Sequence, residues 1–590
     1  MRFNGRSRHE RDRGESVEKK SAWRICRAMV RGYWFSEEKW KARGLLAVVI
    51  ALNFIAVGML VMINDWYNEF YNALQAYAYE LFWPLVGKFA VLAFLHIAVA
   101  VYAIYLRQML QIKWRSWLTE RYLSRWMAHR SYYKLETLAE GTDNPDQRIS
   151  EDIGQFVDLT LSLFVGFLKQ LTTLAAFAVV LWNLSGVLTV PVGSWEFQIY
   201  GYMLWFSLIY SILGTVGAHR VGKKLIGLNF EKQRFEADFR FNMMRVRENS
   251  ESIAFYGGEA QEVQGFKERF ARVIGNFWAL MRQTKILNFY INGYAQLAII
   301  VPLIMAAPRY FGGEMALGGL MQTISAFGRV QDALSYFVEA YGTIAEYAAI
   351  VRRLSGFTAH MEEVEAKESA VASEASSGGF AAEGIFVALP DGTELLRDCS
   401  FSLAAGGSLL VTGVSGAGKS TLLRTLAGLW PFARGRAAFP KGGRRLFLSQ
   451  RPYLPLGTLA RTVSYPLTAE GPRSEMERAL RLVGMESFLA RLDEEADWSH
   501  ILSLGEQQRI AFARILLVRP AWVFLDEATS ALDEAREKEL YEMLARELPE
   551  MGRVSVGHRS TLVAYHEREL RLDGAGGFST RLLRAEPAAR

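Results

Sequence analysis

The eight residues from Gly413 to Ser420, GVSGAGKS, fit the spacing G-x-x-x-x-G-K-[ST]. Glycines at these positions let backbone N–H groups turn inward around a phosphate chain, and a following helix adds the positive end of its dipole. In this reading Gly413, Val414, Ser415, Gly416, Ala417 and Gly418 supply the cradle for the phosphates of a nucleotide. Lys419 would reach the β- and γ-phosphates, Ser420 would hold Mg2+, and Thr421 would follow in the first helical turn. The flanks suit the pattern: Ser408–Gly413 reads as a strand, and Lys419 begins the helix-forming run KSTLLRTL.

A second constellation lies downstream. Trp522-Val-Phe-Leu-Asp-Glu527 is an apolar strand that ends in two carboxylates. Asp526 is placed to bind Mg2+ through water, and Glu527 to activate an attacking water. An acidic pair at a strand end can also be a plain helix N-cap; after a phosphate loop, hydrolysis is the better reading. Upstream, Leu502-Ser-Leu-Gly-Glu-Gln-Gln-Arg509 opens a helix, with Ser503, Gly505 and Glu506 at its start. Gln450 ends the strand-like run Arg445–Gln450, His558 ends Arg553–His558, and Asp533 follows the acidic pair.

This site needs a scaffold, and 590 residues are too many for one core. The mean hydropathy of +0.07 is high for a soluble enzyme. With 51% hydrophobic residues and 36 Phe, 24 Tyr and 15 Trp, extensive disorder is excluded. The two cysteines, Cys26 and Cys399, offer no disulfide framework and no metal cluster, which fits a reducing compartment.

Gly44–Ile63 carries no charge and covers the ~30 Å hydrocarbon core of a bilayer at ~1.5 Å per residue. Comparable runs follow at Pro84–Leu106, Leu159–Asn183, Ile199–Gly217, Gly293–Ala307 and Met315–Val338, which predicts six spans. Residues 1–43 hold thirteen Lys and Arg against six acids, the whole of the net charge of +7. A basic leader before a first span reads as a cytoplasmic flank, and no nucleic-acid partner is expected. Asn64–Trp83 and Leu184–Gln198 hold acids but no Lys or Arg, whereas Arg107–Gly154 and Ala218–Gln283 are rich in both. The amino terminus and everything after Leu354 therefore lie inside. Lys88 reads as a snorkelling side chain. Lys169, deep in its run, faces either a polar cavity or a neighbouring helix.

The expected organisation is a basic segment 1–43, a membrane domain 44–354 with long cytoplasmic helical extensions, a linker 355–382, an α/β domain 383–580 and a tail 581–590. The predicted fold class is a polytopic α-helical membrane domain of six transmembrane helices fused to an α/β P-loop domain, which the family resemblance carried by its motifs implies to be an exporter-type architecture with an ATP-binding cassette.

The segment from Glu383 to about Leu572 resembles the ATP-binding cassette family: phosphate loop, Gln450, signature helix, Asp526 and Glu527, Asp533 and His558 stand in that family's order. The resemblance implies catalytic roles for Glu527, His558 and Gln450, Mg2+ ligation by Ser420, Gln450 and Asp526, and nucleotide contacts from Ser503, Gly505, Glu506 and Asp533. It further implies that Ser503 and Gly505 serve the nucleotide of a second copy of the chain, so that one chain is half of a transporter. Leu504 departs from the family's usual glycine. The base-stacking aromatic is undecided between Phe386 and a replacement by Leu389. NDWYNEFYNALQ (Asn64–Gln75), NPDQRISEDI (Asn144–Ile153), ESIAFYGGEAQE (Glu251–Glu262) and QRPYLPLGTL (Gln450–Leu459) together resemble the D-subfamily half-transporters of peroxisomal fatty acids. They also resemble bacterial relatives, including SbmA/BacA-like peptide-uptake proteins fused to a cassette. In that family the region of Tyr256, Gly257, Gly258 and Glu259 contacts the cassette.

The expectation is an ATP-hydrolysing homodimer in the bacterial inner membrane, importing peptides or other bulky hydrophilic compounds. Acids in the outer loops (Asp65, Glu69, Glu80, Glu196) suggest a cationic solute. Fatty-acyl or lipid transport is the alternative. An ATP-gated channel or sensor, or a proton-driven carrier with an idle cassette, is a reading of another class.

Overall fold

A computed structural model describes residues 23–138, 144–192, 195–366, 371–376, 379–467 and 471–583. The first 22 residues of the basic leader, part of the expected linker including Gly378, and the last seven residues lie outside them. The described chain divides into two compact units, Met1–Arg125 with Thr142–Ala359, and Trp126–Gly141 with His360–Arg590.

The first unit is built from long helices. Residues 23–34 form α1, which buries Ile25, Cys26, Met29 and Tyr33 along one stripe and leaves Arg24, Arg27 and Arg31 exposed. Then come α2 (Lys39–Gln75), α3 (Tyr79–Met127), the short α4 (Ser131–Leu138, grouped with the second unit) and α5 (Ile153–Ser185). A hairpin of β1 (Val187–Val192) and β2 (Trp195–Tyr200) pairs antiparallel where a plain outer loop is expected. After it run α6 (Tyr202–Glu248), α7 (Ser250–Tyr256), α8 (Glu259–Phe311) and α9 (Leu317–Ala366).

Among the described residues, four helical stretches are long and apolar enough to cross a membrane: Lys39–Gln75, Tyr79–Thr137, Pro145–Ser185 and Glu259–Phe311. The two other expected spans lie on α6 and α9, whose apolar runs are diluted by serines, tyrosines and glycines in α6 and by Gln322, Arg329 and Asp332 in α9. The start expected at Ile199 falls in β2, and the helix opens at Tyr202 after left-handed Gly201.

Small residues let the helices of this unit approach. A Cβ on Gly214 would sit 2.3 Å from the Tyr294 ring, and one on Gly217 2.0 Å from the Tyr290 hydroxyl. The α6–α8 pair is locked there by Tyr210, stacked on Tyr294 at 4.4 Å and donating to its carbonyl. At the start of α5, Asp152 is buried and accepts from Arg148 at 2.7 Å and from both Nε and Nη2 of Arg353. Tyr256 ends α7, Gly257 takes the left-handed conformation, and Glu259 opens α8; Phe255 and Tyr256 are exposed.

The second unit follows the alternation of short apolar runs and helices. Its longer strands are β3 (Val371–Ser376), β4 (Gly379–Ala388), β5 (Glu394–Ala404), β6 (Ser408–Gly413), β7 (Ala433–Pro440), β8 (Arg445–Leu448), β9 (Trp522–Asp526), β10 (Gly552–Val556), β11 (Arg568–Leu572) and β12 (Phe578–Leu582). Glu383, the expected first residue of the domain, falls in the middle of β4. One sheet runs β3-β7-β4-β5; the other runs β12-β11-β6-β10-β9-β8 and is parallel except for β12. Phe380, Phe439, Trp522 and Phe524 fill a shared core. The central strands β6 and β9 are buried on both faces, which is why they read as continuous apolar runs. Their carboxyl ends carry the loops that matter here.

Candidate nucleotide site

Strand β6 delivers Gly413 with φ 144°, where a Cβ would lie 2.5 Å from the Leu572 carbonyl. Gly416 and Gly418 adopt φ of 82° and 88°, open to glycine and strained for other residues. Helix α10 (Lys419–Leu426) begins at once. Lys419 Nζ donates to the carbonyls of Gly413 and Val414, both at 3.0 Å, so the loop curls around its own ammonium. Burial pulls that ammonium below the usual lysine range, against the charges of Glu527 and Asp526.

Ser420 Oγ donates to Asp526 Oδ1 at 2.8 Å. Burial pushes the Asp526 carboxyl above its usual range and the Glu527 charge adds to this, while the Ser420 hydrogen bond, Arg424 and Lys419 oppose it. A half-buried carboxylate in need of positive charge, next to a hydroxyl oxygen, is a hard-oxygen donor set of the kind Mg2+ prefers. Beside it, Glu527 has φ 49°, unusual for a residue with a side chain, and its N–H donates to the Val556 carbonyl at 3.1 Å. Gln450 Nε2 donates to Glu527 Oε2 at 3.2 Å, and His558 Nε2 lies 3.4 Å from Oε1. Two residues from two separate strand ends thus converge on the carboxylate that follows a third.

The remaining expected residues stand apart from this centre. Ser503 caps α11 (Leu504–Val518) in a capping box: Glu506 accepts from the Ser503 backbone at 2.9 Å and from its hydroxyl at 2.8 Å. Asp533 caps α12 (Glu534–Glu547) by accepting from Arg536 N at 2.7 Å. Gly505 allows close passage of the Ala531 carbonyl, 3.2 Å from where its Cβ would be. Among the described contacts, none joins Ser503, Gly505, Glu506 or Asp533 to the phosphate loop of the same chain. Phe386 is half-buried in β4, and Leu389 packs into the core; Leu395 comes close to the loop, 3.2 Å from where a Cβ on Gly418 would be.

Two supporting residues escape the sequence reading. Gln508 is fully buried; its Nε2 donates to the Gln450 carbonyl at 3.0 Å and to Ser530 Oγ at 3.2 Å, and its Oε1 accepts from Ala531 N at 3.0 Å. Glu537 is also fully buried and accepts from Thr529 and Thr561, both at 2.6 Å, while Arg559 lies 3.6 Å away and donates to the Ser530 carbonyl. A signal exists for both: each is polar on an otherwise apolar stripe, Gln508 with Phe512 and Ile515, Glu537 with Leu540 and Leu544.

Comparison with known proteins agrees with this geometry. A family model described as ABC transporter transmembrane region 2 matches residues 30–311, and one described as ABC transporter matches residues 396–530. The chain is 35% identical, over 90% of its length and 94% of the relative's, to the inner membrane ABC transporter ATP-binding protein YddA of Escherichia coli. It is 32% identical, over 95% of its length and 87% of the relative's, to ABC transporter D family member 2, chloroplastic, of Arabidopsis thaliana. A solved bacterial Atm1-family ABC exporter with ATP bound superposes with a TM-score of 0.71, covering 90% of this chain and 94% of that one; at 18% identity this is a likeness of fold.

Proposed function

The chain belongs to the ABC transporters, with relatives in their D family, and from that premise we propose that two copies form an ATP-hydrolysing importer in the bacterial inner membrane. Its cargo is a peptide or another bulky hydrophilic compound. The amino terminus and the cassette face the cytoplasm, as the distribution of Lys and Arg between the connections supports.

The observation that carries hydrolysis is the convergence of Gln450 and His558 on Glu527, one residue from the Ser420–Asp526 pair. The Gly413–Gly418 amides and Lys419 bind and orient the phosphates. Glu527 accepts the proton of the attacking water, which Gln450 and His558 help to position. Ser420, Gln450 and Asp526 would hold Mg2+, which supplies charge neutralisation at the phosphate oxygens. Ser503, Gly505, Glu506 and Asp533 sit on helix starts and, among the described contacts, make none to the chain's own phosphate loop, an arrangement suited to a site completed by the second copy.

Proteoliposomes with the cassettes and ATP inside test the direction. ATP-dependent accumulation of a labelled peptide from outside is expected. Extrusion of the peptide, or movement of fatty acyl chains in its place, would overturn the import reading.

A further inference from the structure

Three ionisable side chains stand near the middle of three separate spans: His96 in Pro84–Leu106, Lys169 in Leu159–Asn183 and Arg329 in Met315–Val338. A charge at that depth is costly against lipid and is normally turned toward protein or a water-filled cavity. Their helical faces say where each points.

On α5, Lys169 lies four residues from Val165 and four from Thr173, both buried, whereas Phe164, Phe167 and Leu171 form an exposed stripe on the other side. Residues four apart share a face, so Lys169 points into the bundle. On α9, Arg329 lies seven residues from Gln322, which is bonded to Asp65 of α2, and seven from Tyr336, whose hydroxyl would be 2.4 Å from a Cβ on Gly166 of α5. His96 shares its α3 face with buried Leu92 and Ala103. Lys169 and Arg329 are nonetheless exposed, and neither makes an ion pair among the described residues. Inward-facing charges that stay accessible border an internal aqueous space. The three stand at similar depth: α3 and α5 run antiparallel through Arg107–Asp158 and Arg115–Ser150, so that His96 and Lys169 each lie eleven residues beyond the Arg107–Asp158 pair, and Arg329 lies seven residues beyond the Tyr336–Gly166 approach, about one turn past Lys169. Asp332, three residues on from Arg329, is the acid nearest it along α9.

The outer acids are a weaker guide to the solute. Asp65 already accepts from Gln322 at 2.8 Å, and Glu69 pairs with Lys88 at 2.6 Å.

We propose that His96, Lys169 and Arg329 form a mid-membrane site that binds an anionic group, carboxylate or phosphate, on the transported solute. This rests on the transporter reading above and replaces the expectation of a cationic cargo. In a dimer the basic set would be doubled.

The test is direct binding to the detergent-purified full-length protein, without nucleotide, followed by fluorescence anisotropy. Four BODIPY-labelled hexapeptides serve as probes: one rich in Glu, its phosphoserine counterpart, its Gln and carboxamide counterpart, and a Lys-rich one. At least one anionic peptide should bind about tenfold tighter than the amide, since charge-assisted hydrogen bonds are at stake; which of the two wins separates carboxylate from phosphate. Lys169→Gln and Arg329→Gln should each lose about that factor, Lys169→Arg and Arg329→Lys should keep most of the affinity, and added salt should weaken it. Size-exclusion profiles report folding of the variants, and the salt titration of the wild-type protein stands even if a variant misfolds. Absence of binding by both anionic peptides, equal or tighter binding of the Lys-rich or amide peptide, or full affinity in well-folded Gln variants overturns the proposal. ATP turnover, measured separately, reports on the transporter reading alone.

Discussion

Asn68 on α2 donates through Nδ2 to Gln322 Oε1 on α9 at 2.8 Å, across 254 residues of chain. The contact is one rung of a polar ladder. Asn64 donates to the Gln322 carbonyl, Asn72 Oδ1 accepts from Gly318 N, and Gln75 Oε1 accepts from Leu317 N. Leu317 and Gly318 are the first residues of α9, whose amides have no partner within their own helix. The side chains of α2 cap them, and Gly318 is needed there because a Cβ would come within 2.0 Å of the Asn68 carbonyl. The Asn-rich string that marks the D-subfamily resemblance therefore fastens the last turns of α2 alongside the first turns of α9.

Asn68→Leu and Gln322→Leu should each destabilise the protein by about 1–3 kcal/mol, because each strands a partner in a poorly solvated place. The double substitution should cost less than the sum of the two. Thermal melting in detergent measures all three; strict additivity would show that the rung carries no coupling.

Glu527→Gln should lower phosphate release by at least about 100-fold while ATP still binds. The amide keeps the shape and the contact to Gln450 but cannot take a proton. Turnover near the wild-type rate would remove Glu527 from its role.

Gln508→Leu should reduce kcat about 10- to 100-fold with little change in KM. Among the described contacts Gln508 touches no phosphate-loop residue, so ground-state binding is spared. Its loss frees the Gln450 backbone and the turn at Ser530 and Ala531. A matching rise in KM would instead make it a binding residue.

The parts of this protein that were legible in its sequence are those whose chemistry is contiguous. The phosphate loop, the Asp526–Glu527 strand end and the Ser503 cap each fit in a few successive residues, and their periodicity places them on strand or helix. Gln508 and Glu537 stand out locally only as polar residues on apolar stripes; their partners, like those of the Asn68–Gln322 rung, lie across from them, which no local pattern encodes. The β1–β2 hairpin hid behind a count of charges, although Val187, Thr189, Val190 and Val192 are β-branched. The starts of α6 and α9 were blurred because polar and small residues at helix contacts lower the hydropathy on which spans are read.

His566 gives the cassette a sensitivity to acid. The Leu562 carbonyl can only accept, so Nδ1 carries the proton; Nε2 then accepts from Ser555, which accepts from Tyr541. Burial holds this imidazole at about 4, below the ordinary 6.5. The unfolded chain takes up the proton first, so stability is full above the ordinary value and falls as pH drops from there toward about 4. The loss should amount to about 3 kcal/mol. Melting curves of wild-type and His566→Gln protein between neutral and acid pH should converge as pH falls, since the variant lacks this one proton uptake. Parallel curves would show that His566 does not titrate with unfolding.

The final prediction concerns the second copy. Ser503 reaches Glu506 of its own helix and, among the described contacts, nothing on its own phosphate loop. If a partner's loop completes the site, Lys419→Ala and Ser503→Arg damage different halves of it. Each homodimer then has two broken sites. A heterodimer of the two variants has one doubly broken site and one built wholly from wild-type residues, Lys419 of one chain facing Ser503 of the other. An equal random mixture should regain about a quarter of wild-type turnover if the sites act independently, since half the dimers are mixed and each has one good site of two. Differently tagged chains, isolated by tandem affinity, allow the heterodimer to be assayed alone. Isolated heterodimers as inactive as either parent would place each nucleotide site within a single chain, or would require both sites to fire together. An additional measurement of ATP occupancy in the intact site separates those two outcomes.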